Sequence, residues 1–139
     1  MSSISIATLP RMTRDTLAAL LTAGTNKVVV VDVRDSDHVG GHIKSSTWVP
    51  SSSLDVRLPE LLRTLQDKEK VVFHCALSQQ RGPSAALRYA RERERTLSAE
   101  EFEKQEVYVL TGGFTEWQEK YGKDENLTEA YAEDIWQYE

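Results

Sequence analysis

The chain has 139 residues, 40% of them hydrophobic and 28% charged, with 7 glycines and 4 prolines. That composition excludes a collagenous or wholly disordered chain and suits one core in one domain over residues 1–139. Seventeen basic against 22 acidic residues give a net charge of -5, so no general attraction to nucleic acid or to an anionic membrane is expected, and any anion must be bound locally. No apolar run approaches the ~18–20 residues of a bilayer span, and residues 1–9 lack a basic segment followed by a long apolar one. The expected location is the cytoplasm, with the nucleus also open.

Ser3 to Ala7 alternates serine with isoleucine and reads as a strand. Thr13 then caps a helix carrying Leu17, Leu20 and Leu21 up to Gly24. The valine run within Lys27 to Val33 predicts a central parallel strand, covered on both faces. A polar loop from Asp35 to Lys44 follows, then a short strand over Ser46 to Pro50 and a turn at Ser51 to Ser53. Leu54 to Gln66 presents leucines on one helical face, with Pro59 marking the start of its regular part.

Val71 to Phe73 is a second buried strand, and Gly82-Pro83 starts a helix that runs on to Arg95. Ser98 and Glu101 form a capping-box pattern, Val107 to Leu110 is the last strand, and Gly112-Gly113 opens a helix through Trp117. Alternation of strands and helices implies an α/β fold: a mostly parallel sheet of four or five strands with helices on both faces. Residues 123–139 carry Leu127, Tyr131, Ile135 and Trp136 at helical spacing, which predicts a docking helix, the alternative being a mobile partner-binding tail.

The chemistry concentrates where Cys75 ends a buried strand and Arg81 opens a helix six positions later. The five residues between them, Ala76, Leu77, Ser78, Gln79 and Gln80, are expected to curl so that their N–H groups converge on one point, assisted by the positive end of the helix. That cradle suits a tetrahedral oxyanion. The same field favours the Cys75 thiolate, the nucleophilic form of a free cysteine whose ordinary pKa is ~8.5. Arg81 offers a planar fork for two oxygens of the anion. The loop holds no acidic residue to repel a dianion. Cys75 is the only cysteine, which excludes an intrachain disulfide and a cysteine zinc cluster, and Gly40-Gly41 break the helix that His38 and His42 would need to share a metal. No metal and no organic cofactor are expected.

The segment HCALSQQRGPSAA resembles the active-site loop of the M-phase-inducer (cell-division-cycle type) dual-specificity phosphatases of the rhodanese superfamily, and of their small fungal and plant relatives. VVVVDVRDSDHVGGHIKSS is similar to the Asp-x-Arg strand end and Gly-His-Ile motif of that superfamily, and VYVLTGGFTEW to its closing strand and helix start. The resemblance implies a rhodanese-like three-layer sandwich, with Cys75 forming a phosphocysteine, Arg81 clamping phosphate and Ser78 donating within the loop. Five intervening residues match the phosphatases and arsenate reductases of the fold, whereas its sulfurtransferases have a shorter loop. Ala76 and Gln80 stand where the mitotic enzymes carry glutamates, so the glutamate sometimes proposed as their proton donor is absent.

Asp35 and Asp37 are then the nearest candidates for a general acid that protonates the leaving group. Asp32 with Arg34 reads as a structural polar pair, His74 and His42 as loop supports, His38 as a solvated side chain, and Trp48, Trp117 and Trp136 as core or docking residues. Arg88, Arg91, Arg93 and Arg95, interleaved with glutamates, read as a solvated helix face.

The leading expectation is a cysteine-dependent phosphatase of the phosphotyrosine or dual-specificity class, acting as a monomer on a phosphorylated protein or a small phosphomonoester. The rivals are an arsenate reductase drawing on glutathione or glutaredoxin, a thiosulfate sulfurtransferase, and a non-catalytic module that binds phosphate or phosphoprotein.

Overall fold

A computed structural model describes residues 4–137. Five parallel strands form the main sheet in the order β1 (Arg11–Met12), β6 (Glu106–Leu110), β5 (Lys70–His74), β2 (Val28–Asp32), β4 (Thr47–Trp48). Alternate residues of the central strands serve opposite layers, as the two-residue period of a strand requires. Val31, Phe73 and Val109 pack against Leu54 and Leu61 of α2 (Leu54–Thr64) and Ala86 and Tyr89 of α3 (Arg81–Thr96). Val30, Val72 and Leu110 meet Leu17 of α1 (Arg14–Thr22) and Phe114 and Trp117 of α5 (Gly113–Tyr121). The chain is therefore a three-layer α/β sandwich with a parallel sheet and helices on both faces.

Several caps follow from the sequence. The Thr13 side chain accepts the Thr16 N–H at the start of α1, and Ser98 accepts the Glu101 N–H at the start of α4 (Ala99–Phe102). Each hydroxyl satisfies a helix-end donor that would otherwise be orphaned.

Four expectations are corrected. No strand runs through residues 4–7, and Ser3 lies outside the described residues. Instead, Ser5 and Thr8 exchange side-chain and backbone hydrogen bonds in a local turn, the competing pattern that short hydroxyl side chains offer a backbone. The helix expected over Leu54 to Gln66 is regular from Leu54, so Pro59 lies inside it; burial of Leu54 and Leu61 outweighs the carbonyl left without an N–H partner.

The segment after residue 123 docks, but not as one helix. Its β7 (Thr128–Glu129) pairs antiparallel with β3 (His42–Ile43), and α6 (Glu133–Gln137) follows. Trp136 donates to the Gly40 carbonyl at 3.0 Å and tilts on Phe114. Finally, Arg93 is not solvated: it is buried and donates to the carbonyls of Glu101 and Phe102, closing the C-terminal end of α4. No described helix is long and apolar enough to cross a membrane.

Candidate active site

In a parallel sheet the strand C-termini end on one edge, where loops gather and ligands bind. β2 and β5 are neighbours with Asp32 opposite His74 in register, so the loop after Asp32 and the loop after His74 leave the edge side by side. The first carries Asp35 and Asp37, and the second runs from Cys75 to Arg81.

The second loop is held from outside. The Phe114 N–H donates to the Cys75 carbonyl at 3.0 Å and the Thr115 N–H to the Ala76 carbonyl at 2.9 Å, both from the first turn of α5. Gly113 permits this approach: its φ is +58°, and a Cβ there would stand 2.4 Å from each of the two carbonyl oxygens. Across a trans peptide the C=O and the following N–H point opposite ways, so the N–H groups of Ala76 and Leu77 turn away from α5. Among the described residues, no backbone N–H from Ala76 to Gln80 has an acceptor. Ser78 takes a left-handed φ of 57°, a conformation that lets successive N–H groups converge. Its Oγ is buried with no partner among the described residues, and its carbonyl accepts from Arg11.

Cys75 is itself buried. Gly82 lets the first turn of α3 press on the strand end, where a Cβ would meet the His74 Cα at 3.2 Å, and the Gly82 N–H donates to the Cys75 Sγ at 3.3 Å. That bond strengthens when the sulfur carries negative charge, and the N-terminus of the 16-residue α3 adds its dipole. A cleft beside Arg81 is lined by Ser51, Leu54, Gln80, Ser84 and Arg88.

Asp35 and Asp37 both engage Arg81. Arg81 Nη1 donates to Asp37 Oδ1 at 2.8 Å and to Asp35 Oδ2 at 3.2 Å, and Nη2 donates to Asp37 Oδ2 at 2.6 Å. These bonds pull the Asp37 carboxyl down to about 2 against the opposing effect of burial. The Ser51 hydroxyl, the Ser52 N–H and Arg81 lower Asp35. The guanidinium is correspondingly raised, by Asp37 foremost and with Cys75 near enough to contribute. Both carboxyls are thus lowered, the direction opposite to the raised pKa that a general acid near neutral pH needs.

Beneath the loops, Asp32 and Arg34 form a fully buried ion pair with Nη2 at 2.7 Å from Oδ2. Burial raises the Asp32 carboxyl, but neighbouring His74 and the Arg34 bonds outweigh it and leave it lowered. His74 is buried, which pushes its imidazole down, and its Nδ1 donates to the Cys75 carbonyl at 3.0 Å. The ring thus braces the backbone at the root of the loop. His38 is not freely solvated: it stacks on Trp48 at 4.4 Å with Nε2 3.5 Å from Asp32. Trp48 is no core residue either, being 47% exposed and anchored through its indole N–H on the Arg34 carbonyl at 2.6 Å. His42 pairs with Glu129 across the β3–β7 ribbon.

Residues 13–120 match the model of the rhodanese-like domain family. The CDC25-like phosphatase YCH1 of Saccharomyces cerevisiae is 45% identical over 118 residues, covering 77% of this chain and 76% of that protein. Arsenate reductase 2.2 of Oryza sativa is 38% identical over 121 residues, covering 84% and 82%. The crystal structure of Saccharomyces cerevisiae Ygr203w, described as a homolog of single-domain rhodanese and the Cdc25 phosphatase catalytic domain, superposes with a TM-score of 0.79 at 38% identity, covering 98% of this chain and 97% of that one. With the sandwich, the strand-to-helix loop around Cys75 and these likenesses in agreement, the chain belongs to the rhodanese-like domain family.

Proposed function

We propose that the protein is a cysteine-dependent phosphatase that hydrolyses phosphomonoesters of the phosphotyrosine or dual-specificity class. One observation carries the reading: a run of backbone N–H groups without acceptors among the described residues, Ala76 to Gln80, lies between a buried Cys75 and Arg81. Ser78 within this run is buried while Leu77, Gln79 and Gln80 open to solvent, so an incoming tetrahedral dianion can reach the donors and accept from several at once.

In this reading the Cys75 Sγ attacks phosphorus in line with the ester oxygen. An S–P bond forms, the P–O bond to the leaving group breaks, and the Arg81 guanidinium and loop amides hold the three equatorial oxygens. Water then attacks the phosphocysteine, releasing phosphate and the thiolate. With Asp35 and Asp37 ionised, the leaving group's proton comes from the substrate's own phosphate or from water, so aryl phosphates, whose leaving groups need little protonation, are the better substrates.

The same cradle fits arsenate, which has the shape and charge of phosphate, and the likeness to a rice arsenate reductase favours this second reading. With one cysteine in the sequence, resolution of an arseno-cysteine requires an external thiol such as glutathione or glutaredoxin as the electron source.

Hydrolysis of a fluorogenic aryl phosphate by wild type and Cys75→Ser between pH 5 and 8 tests the proposal. Turnover in wild type that disappears in the variant is expected, together with a phosphoenzyme trapped on Cys75. Equal turnover in both, or a phosphoenzyme on another residue, overturns it. Absence of phosphatase turnover with arsenate reduced in the presence of glutathione transfers the site to the reductase reading, and tungstate binding without either reaction to an anion-binding module.

A further inference from the structure

We propose that Asp37, assisted by Asp35, is a positioning residue for Arg81: it holds the guanidinium by its end and leaves one side as a two-pronged donor for the oxyanion. This rests on the reading of the Cys75 loop as an oxyanion site and adds the group that aims its clamp.

A guanidinium has five N–H donors in fixed directions. Asp37 takes one from Nη1 and one from Nη2, the bidentate end-on arrangement, and Asp35 takes the second from Nη1. What is left is the Nε–H and the Nη2 hydrogen beside it, two parallel donors on one edge with no partner among the described residues. Such an edge matches two oxygens of a phosphate or its analogues.

The carboxylates are themselves fixed. Asp37 Oδ1 also accepts the Asp35 N–H at 2.9 Å, while Asp35 accepts the Ser51 hydroxyl at 2.6 Å and the Ser52 N–H at 3.1 Å. Arg81 is thus tied to the loop after β2 and to the turn that precedes α2. A long side chain immobilised before the anion arrives loses less freedom on capturing it, the advantage of preorganisation. The opposing effect is repulsion: two negative charges beside one positive weaken the attraction for an anion. Orientation and repulsion predict opposite results when Asp37 is removed.

The experiment is calorimetric titration with tungstate, a non-hydrolysed oxyanion, of wild type, Asp37→Ala, Asp37→Glu, Arg81→Lys and the double variant Asp37→Ala with Arg81→Lys. Asp37→Asn replaces the alanine variant if that fails to fold. Loss of Asp37 is expected to weaken tungstate about tenfold or more, with partial recovery in Asp37→Glu. In the Arg81→Lys background the same change should cost less than about twofold, since an ammonium has no edge to aim. Unchanged or tighter binding in Asp37→Ala overturns the proposal and makes the carboxylates a brake, as does an equal loss in both backgrounds.

Nitrogen-15 NMR of the Arg81 side chain gives a readout independent of ligand. Slow guanidinium rotation in wild type that becomes fast without Asp37 is expected, and equal rotation in the two overturns the proposal. A wild type that binds no tungstate but shows this NMR difference refutes the oxyanion reading alone.

Discussion

Two arginines meet aspartates at the same edge of the sheet and spend their guanidinium groups differently. Arg34 gives its side edge to Asp32, with Nε and Nη2 both donating to the carboxylate, while its remaining groups reach the carbonyls of Val39 and Gly41 and its face covers the Phe114 ring at 4.4 Å. It is fully buried, and its bonds are made within the protein. Arg81 gives its end to Asp37 and keeps its side edge unspent at a partly exposed position. The first pair locks the loop after β2 to the sheet, and the second holds a donor ready. One residue combination becomes framework or functional group according to which edge the carboxylate occupies and whether solvent can reach the other.

Exchanging the fates of these arginines gives the largest effects. Arg34→Ala strands the Asp32 carboxylate in the interior, and breaking a buried pair in this way costs about 3–5 kcal/mol. Urea unfolding should show that loss, with activity falling because the loop after β2, which carries Asp35 and Asp37, loses its anchor. Arg81→Ala removes partly exposed pairs worth at most about 1 kcal/mol, so its unfolding midpoint should barely move. Its affinity for tungstate should nevertheless fall about a hundredfold, the value of two charge-assisted hydrogen bonds. A stable Arg34→Ala or an unfolded Arg81→Ala would erase the distinction.

A smaller effect sharpens the same division from the α5 side. Gly113→Ala forces a non-glycine residue to φ +58° and places a Cβ against the carbonyls of Cys75 and Ala76. Backbone strain of this kind costs about 1–3 kcal/mol. Because the displaced atoms belong to the loop itself, kcat/KM for an aryl phosphate should fall by more than the stability loss accounts for. Gly24→Ala serves as the control: it also has positive φ, +75°, but nothing lies within 4 Å of the added Cβ, so it should cost stability alone.

Much of this architecture is legible in the sequence because strong local signals agree with burial. Four successive valines mark β2, Gly82-Pro83 marks the start of α3, and Thr13 and Ser98 cap helices as their positions suggest. The candidate loop is legible for the same reason, since a β-branched strand end and a Gly-Pro helix start bracket Cys75 and Arg81.

What escapes the sequence depends on neighbours distant along the chain. The β3–β7 ribbon pairs two-residue strands, too short to show any period. Trp48 has the apolar surroundings of a core residue, yet β4 is an edge strand whose side chain reaches the loop after β2. Asp35 and Asp37 are noticed as carboxylates near the site, but their contact with Arg81 follows from the pairing of β2 with β5, a neighbour relation that no local pattern shows.

The pH dependence of stability separates the two aspartate pairs most finely. Asp37 falls from its ordinary 3.8 to about 2 in the folded protein, so between those values the unfolded chain binds more protons than the folded one. The Asp37–Arg81 contribution is therefore complete above pH 3.8 and is lost as pH falls through about 2. Asp37 is 42% exposed, and solvent screening holds the contribution to about 1 kcal/mol or less. Asp32 is lowered as well, but inside the protein. Acid titration of urea stability should show a shallower decline below pH 4 in Asp37→Asn than in wild type. Added salt should flatten the wild-type curve toward the variant by screening the exposed pair while leaving the buried one nearly untouched. Identical curves for the two proteins would mean that Arg81 gains no stability from Asp37, and that Asp35 and the buried pair carry the acid sensitivity of this edge.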